Sequence, residues 1–72
     1  MSIAGSDSSA GAGVQADLKT CAAHNVYGTT ILTSITAQNT TDVSLVYPLP
    51  AHVVRAQFDA VMRDLTVDVI KV

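Results

Sequence analysis

The sequence is poor in the residues that staple or decorate small proteins. It has one cysteine, no tryptophan, one phenylalanine and two tyrosines. A lone Cys21 excludes an intrachain disulfide, and Cys21 with His24 and His52 is too small a set for a structural zinc site. So few aromatics exclude a stacking platform for nucleic-acid bases. Charge is also scarce. Four Lys and Arg side chains stand against six Asp and Glu, for a net charge of −2. The four cations, Lys19, Arg55, Arg63 and Lys71, are scattered. That excludes a basic stripe for nucleic acid and a cationic patch for an anionic membrane. No apolar run approaches the roughly 20 residues of a transmembrane helix. The chain does not open on a basic segment followed by an apolar one, so no signal peptide is expected. A single thiol suits a reducing, cytoplasmic setting.

What is present is apolar content. Of 72 residues, 49% are hydrophobic, and mean hydropathy is +0.37. A chain this short buries only about 60% of the surface its unfolded form exposes. It therefore builds one small core and a single domain. Its apolar content suits the interior of a larger protein better than a free miniature, and an isolated chain is expected to pack loosely or aggregate.

Strands and helices alternate. Met1–Ala4 reads as the end of a strand, and Gly5–Gly13 (GSDSSAGAG) as a loop of small residues. Val14, Leu18, Cys21 and Ala22 form one helical stripe, and Asn25, which tolerates the left-handed conformation, is its expected stop. Thr29–Thr36 is rich in β-branched residues and apolar or small on both sides, as in a covered parallel strand. Within Ala37–Pro50, Val43–Tyr47 suits a short extended piece. Pro50 fits a first helical position. Val54, Phe58, Val61, Met62 and Leu65 then mark a helix over about residues 51–65. Asp59 and Arg63 make an i, i+4 pair on it. Val67–Val72 (VDVIKV) is a third strand candidate. The β-α-β-α-β order implies an α/β fold with a mostly parallel sheet and right-handed crossovers.

Ligands of open α/β sheets bind beyond the carboxyl ends of the strands. Gly5–Gly13 and Thr36–Thr41 (TAQNTT) fall there. Gly11-Ala12-Gly13-Val14-Gln15-Ala16 matches the dinucleotide glycine pattern. However, the seven residues Gly5–Gly11 before Ala12 are too many for its tight turn, and the acid expected after the second strand is replaced by Ala37-Gln38-Asn39. The sharper candidate is Gln38. Its primary amide offers donors and an acceptor in one plane, a match for a flat heteroaromatic ring carrying an amino group, set against a simple turn role. Asp7 suits loop organisation or a cap. Asp17 sits in the first helical turns, where the dipole favours an anion. Cys21 reads as a small core residue, and His24 lacks partners for a triad. His52, Arg55 and Arg63 read as solvated helix positions.

The stretch Ile3–Thr20 (IAGSDSSAGAGVQADLKT) resembles the opening IAGSDPSGGAGIQADLKT of hydroxymethylpyrimidine/phosphomethylpyrimidine kinases, thiamine-biosynthesis enzymes of the ribokinase-like superfamily. Tyr27-Gly28 with Thr36-Ala37-Gln38-Asn39-Thr40 is similar to the family's second block, and Val67-Asp68-Val69-Ile70-Lys71 to the strand before its KIGM segment. The likeness covers essentially the whole chain.

The resemblance implies a β-α-β-α-β piece of a ribokinase-like three-layer fold. Residues 1–72 would be the N-terminal, substrate-side part of an incomplete kinase domain. It also implies ATP-dependent phosphorylation of 4-amino-5-hydroxymethyl-2-methylpyrimidine and then of its monophosphate, with pyridoxine-type alcohols as substrates of some relatives. Gln38 would hydrogen-bond the aminopyrimidine. Gly5, Ala12 and Thr36 would line the pocket, Asp17 would face it, and Asp7, Gly11 and Gly13 would shape the loop. ATP and Mg2+ would be held mainly by parts beyond Val72, where the family carries its GTG-type anion hole, catalytic base or cysteine and nucleotide pocket. No catalytic residue and no metal ligand is expected within the 72 residues, and the full-length enzyme would be a homodimer. Two residues depart from the family pattern: Ser8 replaces Pro, freeing φ, and Ala10 replaces Gly, disfavouring positive φ. A non-catalytic pyrimidine-binding module or degenerate paralogue, and a dinucleotide-binding βαβ unit, are the alternatives.

Overall fold

A computed structural model describes all 72 residues. The elements are β1 (Ser2–Ser6), α1 (Gly13–Ala23), β2 (Thr30–Gln38), β3 (Val43–Pro48) and α2 (Ala51–Asp64). The sheet order is β1-β2-β3, with β1 and β2 parallel and β2 and β3 antiparallel. On the free edge of β1, Lys71 forms a parallel bridge to Ser2. Its N–H donates to Met1 O, and Ile3 N–H donates to Lys71 O, both at 2.9 Å.

Side chains alternate across a strand, and the two helices use that alternation. Ser2 points to α1 and hydrogen-bonds Asp17. Its neighbour Ile3 points the other way and, with Ile31, lines a hollow against Val54 and Phe58 of α2. The helices therefore cover opposite faces, giving three layers. α1 ends as the sequence predicts. Asn25 has φ +55, its N–H donates to Ala22 O at 3.2 Å, and Val26 N–H donates to Cys21 O at 2.8 Å. These paired bonds close the last helical turn around a left-handed residue.

Several boundaries differ from the sequence expectation. β1 continues through Gly5 and Ser6, and β2 through Ala37 and Gln38, because their main chains still find ladder partners. Thr36 lies on the strand as expected, and Ala37 and Gln38 lie on it too rather than on a loop. Val43–Tyr47 is a full strand, extended to Pro48, so the order is β-α-β-β-α. The expected strand over Val67–Val72 is reduced to the bridge at Lys71, since only Met1 to Ile3 offer it main-chain partners. Pro50 is the N-cap of α2 rather than its first helical residue. Its carbonyl accepts from Val53 and Val54 at 3.0 and 3.2 Å. Arg63 Nε donates to the main-chain oxygen of Asp59 at 3.4 Å and makes no ion pair with its carboxylate, as befits an exposed pair of little intrinsic worth.

The buried residues are Ser2, Asp7, Val14 and Ile31. Most of the apolar content lies on the surface. Val43, Leu45, Val46 and Tyr47 of β3 are all more than half exposed, on both faces of the strand. No helix is long and apolar enough to cross a membrane.

Candidate functional site: the carboxyl ends of β1 and β2

The loop after β1 is wound around a buried carboxylate. Asp7 Oδ1 accepts from Ser9 N at 2.8 Å and Ser9 Oγ at 2.7 Å. Asp7 Oδ2 accepts from Gly11 N at 3.0 Å and Ala12 N at 2.8 Å. Asp7 O also accepts from Ala10 N at 2.9 Å. The Ser9 hydroxyl, with the Ser9, Ala12 and Gly11 amides, holds the Asp7 carboxyl below its ordinary range against the opposing effect of burial. Asp7 thus organises the loop from outside the helix: it takes the N–H of Ala12, the N-cap of α1, and Ala12 itself has no side chain that could cap. The same geometry decides against a dinucleotide loop. The amides of Gly11 and Ala12, which a pyrophosphate would need, already bind an internal anion.

Glycine is required at Gly13, and Gly5 leaves room for the Ser34 hydroxyl. Gly13 has φ +63, and a Cβ there would overlap Gly5 O and lie 3.2 Å from Asp7 N. A Cβ on Gly5 would lie 2.6 Å from Ser34 Oγ. The loop is tied to the helix by Gln15, whose Oε1 accepts from Asp7 N at 2.9 Å and whose Nε2 donates to Ser6 Oγ at 2.7 Å.

A bulge aims the strand residues. The β1–β2 register runs Ser2 to Thr30, Ile3 to Ile31 and Ala4 to Leu32, then jumps to Ser6 opposite Ile35. The extra residue in β2 inverts its alternation. Before the bulge, the even-numbered residues of β2 share a face with Ser2 and α1. After it, Ser34, Thr36 and Gln38 turn to the face of Gly5 and α2. They form a polar shelf beside a residue without a side chain. Thr36 Oγ1 lies 2.7 Å from Ser6 O and 2.8 Å from Gln38 Oε1. Ser8 Oγ donates to Gln38 O at 2.6 Å and accepts from Gln38 N at 2.7 Å. The second polar atom of the Gln38 amide makes no hydrogen bond within the protein, and the residue is half-buried.

Of the residues singled out in the sequence, Gly5, Ala12, Thr36 and Gln38, with Asp7, Gly11 and Gly13, converge here. Asp17 does not join them. At the opposite end of β1, its Oδ2 accepts from Ser2 Oγ and from Lys71 Nζ at 2.9 Å, which together hold its carboxyl low. It lines a cavity of about 580 Å³ between α1, Thr29 and the segment Leu65–Lys71. Gly5, Ala12, Thr36 and Gln38 line neither this cavity nor the hollow under α2. Cys21 also borders the 580 Å³ cavity, half-buried.

Sequence reasoning missed Ser6, Ser8, Gln15 and Ser34 as members of the site. The readable signal was Gln15, a primary amide in the first helical turn, directly after a loop rich in main-chain groups that need partners.

Comparisons with known proteins bear on the family and the fold. The family described as phosphomethylpyrimidine kinase matches residues 7–72. The hydroxymethylpyrimidine/phosphomethylpyrimidine kinase of Rhizobium meliloti (strain 1021) is 56% identical over 72 residues, 100% of this chain and 27% of the relative. That of Bacillus subtilis (strain 168) is 49% identical over 71 residues, 99% of this chain and 26% of the relative. The chain thus spans about a quarter of the length of these relatives. The crystal structure of phosphomethylpyrimidine kinase from Clostridium difficile 630 superposes with a TM-score of 0.92 at 48% identity, covering 96% of this chain and 30% of that one. The ADP complex of Bacillus subtilis pyridoxal kinase superposes with a TM-score of 0.85 at 44% identity, covering 96% and 27%. The fold is the α/β arrangement of the ribokinase-like kinases, and the chain belongs to the phosphomethylpyrimidine kinase family.

Proposed function

We propose that these 72 residues form the substrate-side part of an ATP-dependent kinase that phosphorylates 4-amino-5-hydroxymethyl-2-methylpyrimidine and its monophosphate in thiamine biosynthesis. One observation carries the substrate assignment. The Gln38 amide is held by Thr36 through one of its two polar atoms and keeps the other free, on a shelf built from Gly5, Ser34 and Thr36. A planar donor–acceptor group beside a residue without a side chain suits a flat aminopyrimidine lying against main chain. Gln38 reads the ring's amine edge, Thr36 and Gly5 form the floor, and Ala12 forms the wall on the loop side. Asp7, Gly11 and Gly13 keep the loop in place.

The residues present do not fit a holder for MgATP. No three His, Cys, Asp or Glu side chains converge on a cation position, and the loop amides are committed to Asp7. Relatives solved with ADP and AMP-PCP support nucleotide use by the complete enzyme. Phosphoryl transfer rests on positioning and on neutralising charge. We therefore assign the nucleotide and Mg2+ to residues outside these 72, and expect no turnover by the 72 residues alone.

The test is a phosphorylation assay of the longest natural chain carrying these residues, with MgATP and either hydroxymethylpyrimidine or pyridoxal. The expected result is turnover of the pyrimidine, with KM raised at least about tenfold in Gln38→Ala, the loss of roughly one good hydrogen bond. Preference for pyridoxal, or an unchanged KM in the variant, would overturn the substrate assignment.

A further inference from the structure

Gln38 is gripped at two points, and we infer that the grip fixes its amide in a single orientation, with Nε2 turned inward to Thr36 and Oε1 presented to the ligand. The inference rests on the reading of Gln38 as the substrate contact, and it specifies which ligand edge that contact accepts.

The argument is a proton count. Thr36 Oγ1 lies 2.7 Å from Ser6 O and 2.8 Å from the Gln38 amide atom placed as Oε1. Oxygen atoms this close need a proton between them. A hydroxyl carries one. Ser6 O is a main-chain carbonyl and only accepts, so the Thr36 proton goes there. The Gln38 atom facing Oγ1 must then be the donor, and a half-turn of the amide about its last torsion places Nε2 there. The O and N ends of such an amide are assigned from the network around them, and this network leaves one assignment. The relay runs from Gln38 Nε2–H to Thr36 Oγ1–H to Ser6 O. Outward it leaves Oε1 and the second N–H of Nε2.

The main chain is gripped by Ser8. Its hydroxyl donates to Gln38 O at 2.6 Å and accepts from Gln38 N at 2.7 Å, bracketing the residue from both sides. Proline, usual at this position in the resemblance described above, has no group that could do this. The freedom that Ser8 restores to the loop main chain is offset by this bracket, which pins the loop to the end of β2. Ser8 and Thr36 are positioning residues. The amide they hold offers an acceptor to an incoming amine and a donor to the adjacent ring nitrogen, and it opposes a ligand that presents a carbonyl in place of the amine.

Two measurements on the longest natural chain carrying these residues decide the point. The first needs no ligand. NMR of the Gln38 side-chain NH2 should show one proton shifted downfield with a shallow temperature dependence, lost in Thr36→Val and regained in Thr36→Ser. Two protons with equal, steep temperature dependence in the parent chain would overturn the inference, whatever the substrate is. The second compares binding of the aminopyrimidine with its oxo analogue. Thr36→Val should reduce the preference for the amine about tenfold, the size of one hydrogen bond, while Thr36→Ser keeps it. Ser8→Ala should weaken both ligands alike. Equal weakening of both ligands by Thr36→Val would overturn the orientation. Binding of neither ligand by the parent chain would defeat the substrate reading alone, and the NMR result would still decide the grip.

Discussion

The Asp7 carboxylate lies 2.8 Å from the main-chain nitrogen of Ala12, five residues further along the chain. Between them runs a loop of small side chains whose amides turn inward to that carboxylate. A loop that resembles a phosphate cradle in sequence is therefore filled by the protein's own anion. Asp7→Asn tests this, because it keeps the size and removes the charge and one accepting oxygen. The amides of Ser9, Gly11 and Ala12 should exchange with solvent faster, and the protein should lose stability. Unchanged exchange at Gly11 and Ala12 would mean that the loop is held by something other than the carboxylate.

Two depressed carboxyls give the acid response a sign. Asp7 is held low first by the Ser9 hydroxyl, and Asp17 by the Ser2 hydroxyl and Lys71. A carboxyl whose folded pKa lies below its unfolded value stabilises the fold above the unfolded value, near the model-peptide value of about 3.9. That contribution disappears as pH falls through the folded value. Stability should thus be level near neutrality with respect to these groups and fall below about pH 4. Asp7→Asn and Asp17→Asn should each flatten the acid limb in urea melts across pH. An acid limb unaltered in both variants would contradict the assignment.

Ala10 carries φ +63, in the region where a side chain costs about 1–2 kcal/mol. The family pattern has glycine at this position. Ala10→Gly should stabilise the protein by about 0.5–1 kcal/mol, because relief of the strain exceeds the added flexibility of the unfolded chain. Denaturant midpoints measure this directly. A lower midpoint for the glycine variant would show that the loop carries no strain at Ala10.

The parts of the fold set by local chemistry could be read from the sequence. Asn25 ends α1 because a left-handed residue was needed there, and the β-branched run Thr29–Thr36 lies within β2 apart from its first residue. The bulge could not be read. Ile31, Thr33 and Ile35 alternate with Leu32, Ser34 and Thr36, and both sets are apolar or small, so nothing in β2 reveals where its faces exchange. The pairing with β1 decides that, and with it the direction of Thr36 and Gln38. Val67–Val72 failed for a related reason: β propensity is local, but a strand exists only where a partner's main chain is available. The convergence of Gly5 and Gln38 was legible from their places at two strand ends. The engagement of Asp17 by Ser2 and Lys71 was not, because it joins residues 15 and 54 positions away.

Gln57 has a long-range role of the same kind. Its position on α2 gives no sign of function, yet its amide pairs with both main-chain groups of Leu32. Nε2 donates to Leu32 O at 2.9 Å, and Oε1 accepts from Leu32 N at 2.8 Å. β3 pairs with β2 only from Ser34 onward, so the side chain supplies the ladder bonds that β3 does not reach. Gln57→Ala should leave a half-buried N–H and C=O unpaired, costing about 1–3 kcal/mol, with faster amide exchange at Leu32. Gln57→Glu separates the two bonds. Its carboxylate still accepts from Leu32 N but opposes Leu32 O, so near neutrality it should lose stability too. Lowering the pH should restore part of that loss as the carboxyl becomes a donor, a recovery that Gln57→Ala cannot make. A glutamate variant as stable as the parent at neutral pH would remove the surrogate-strand role from Gln57 and leave its contact with Leu32 incidental.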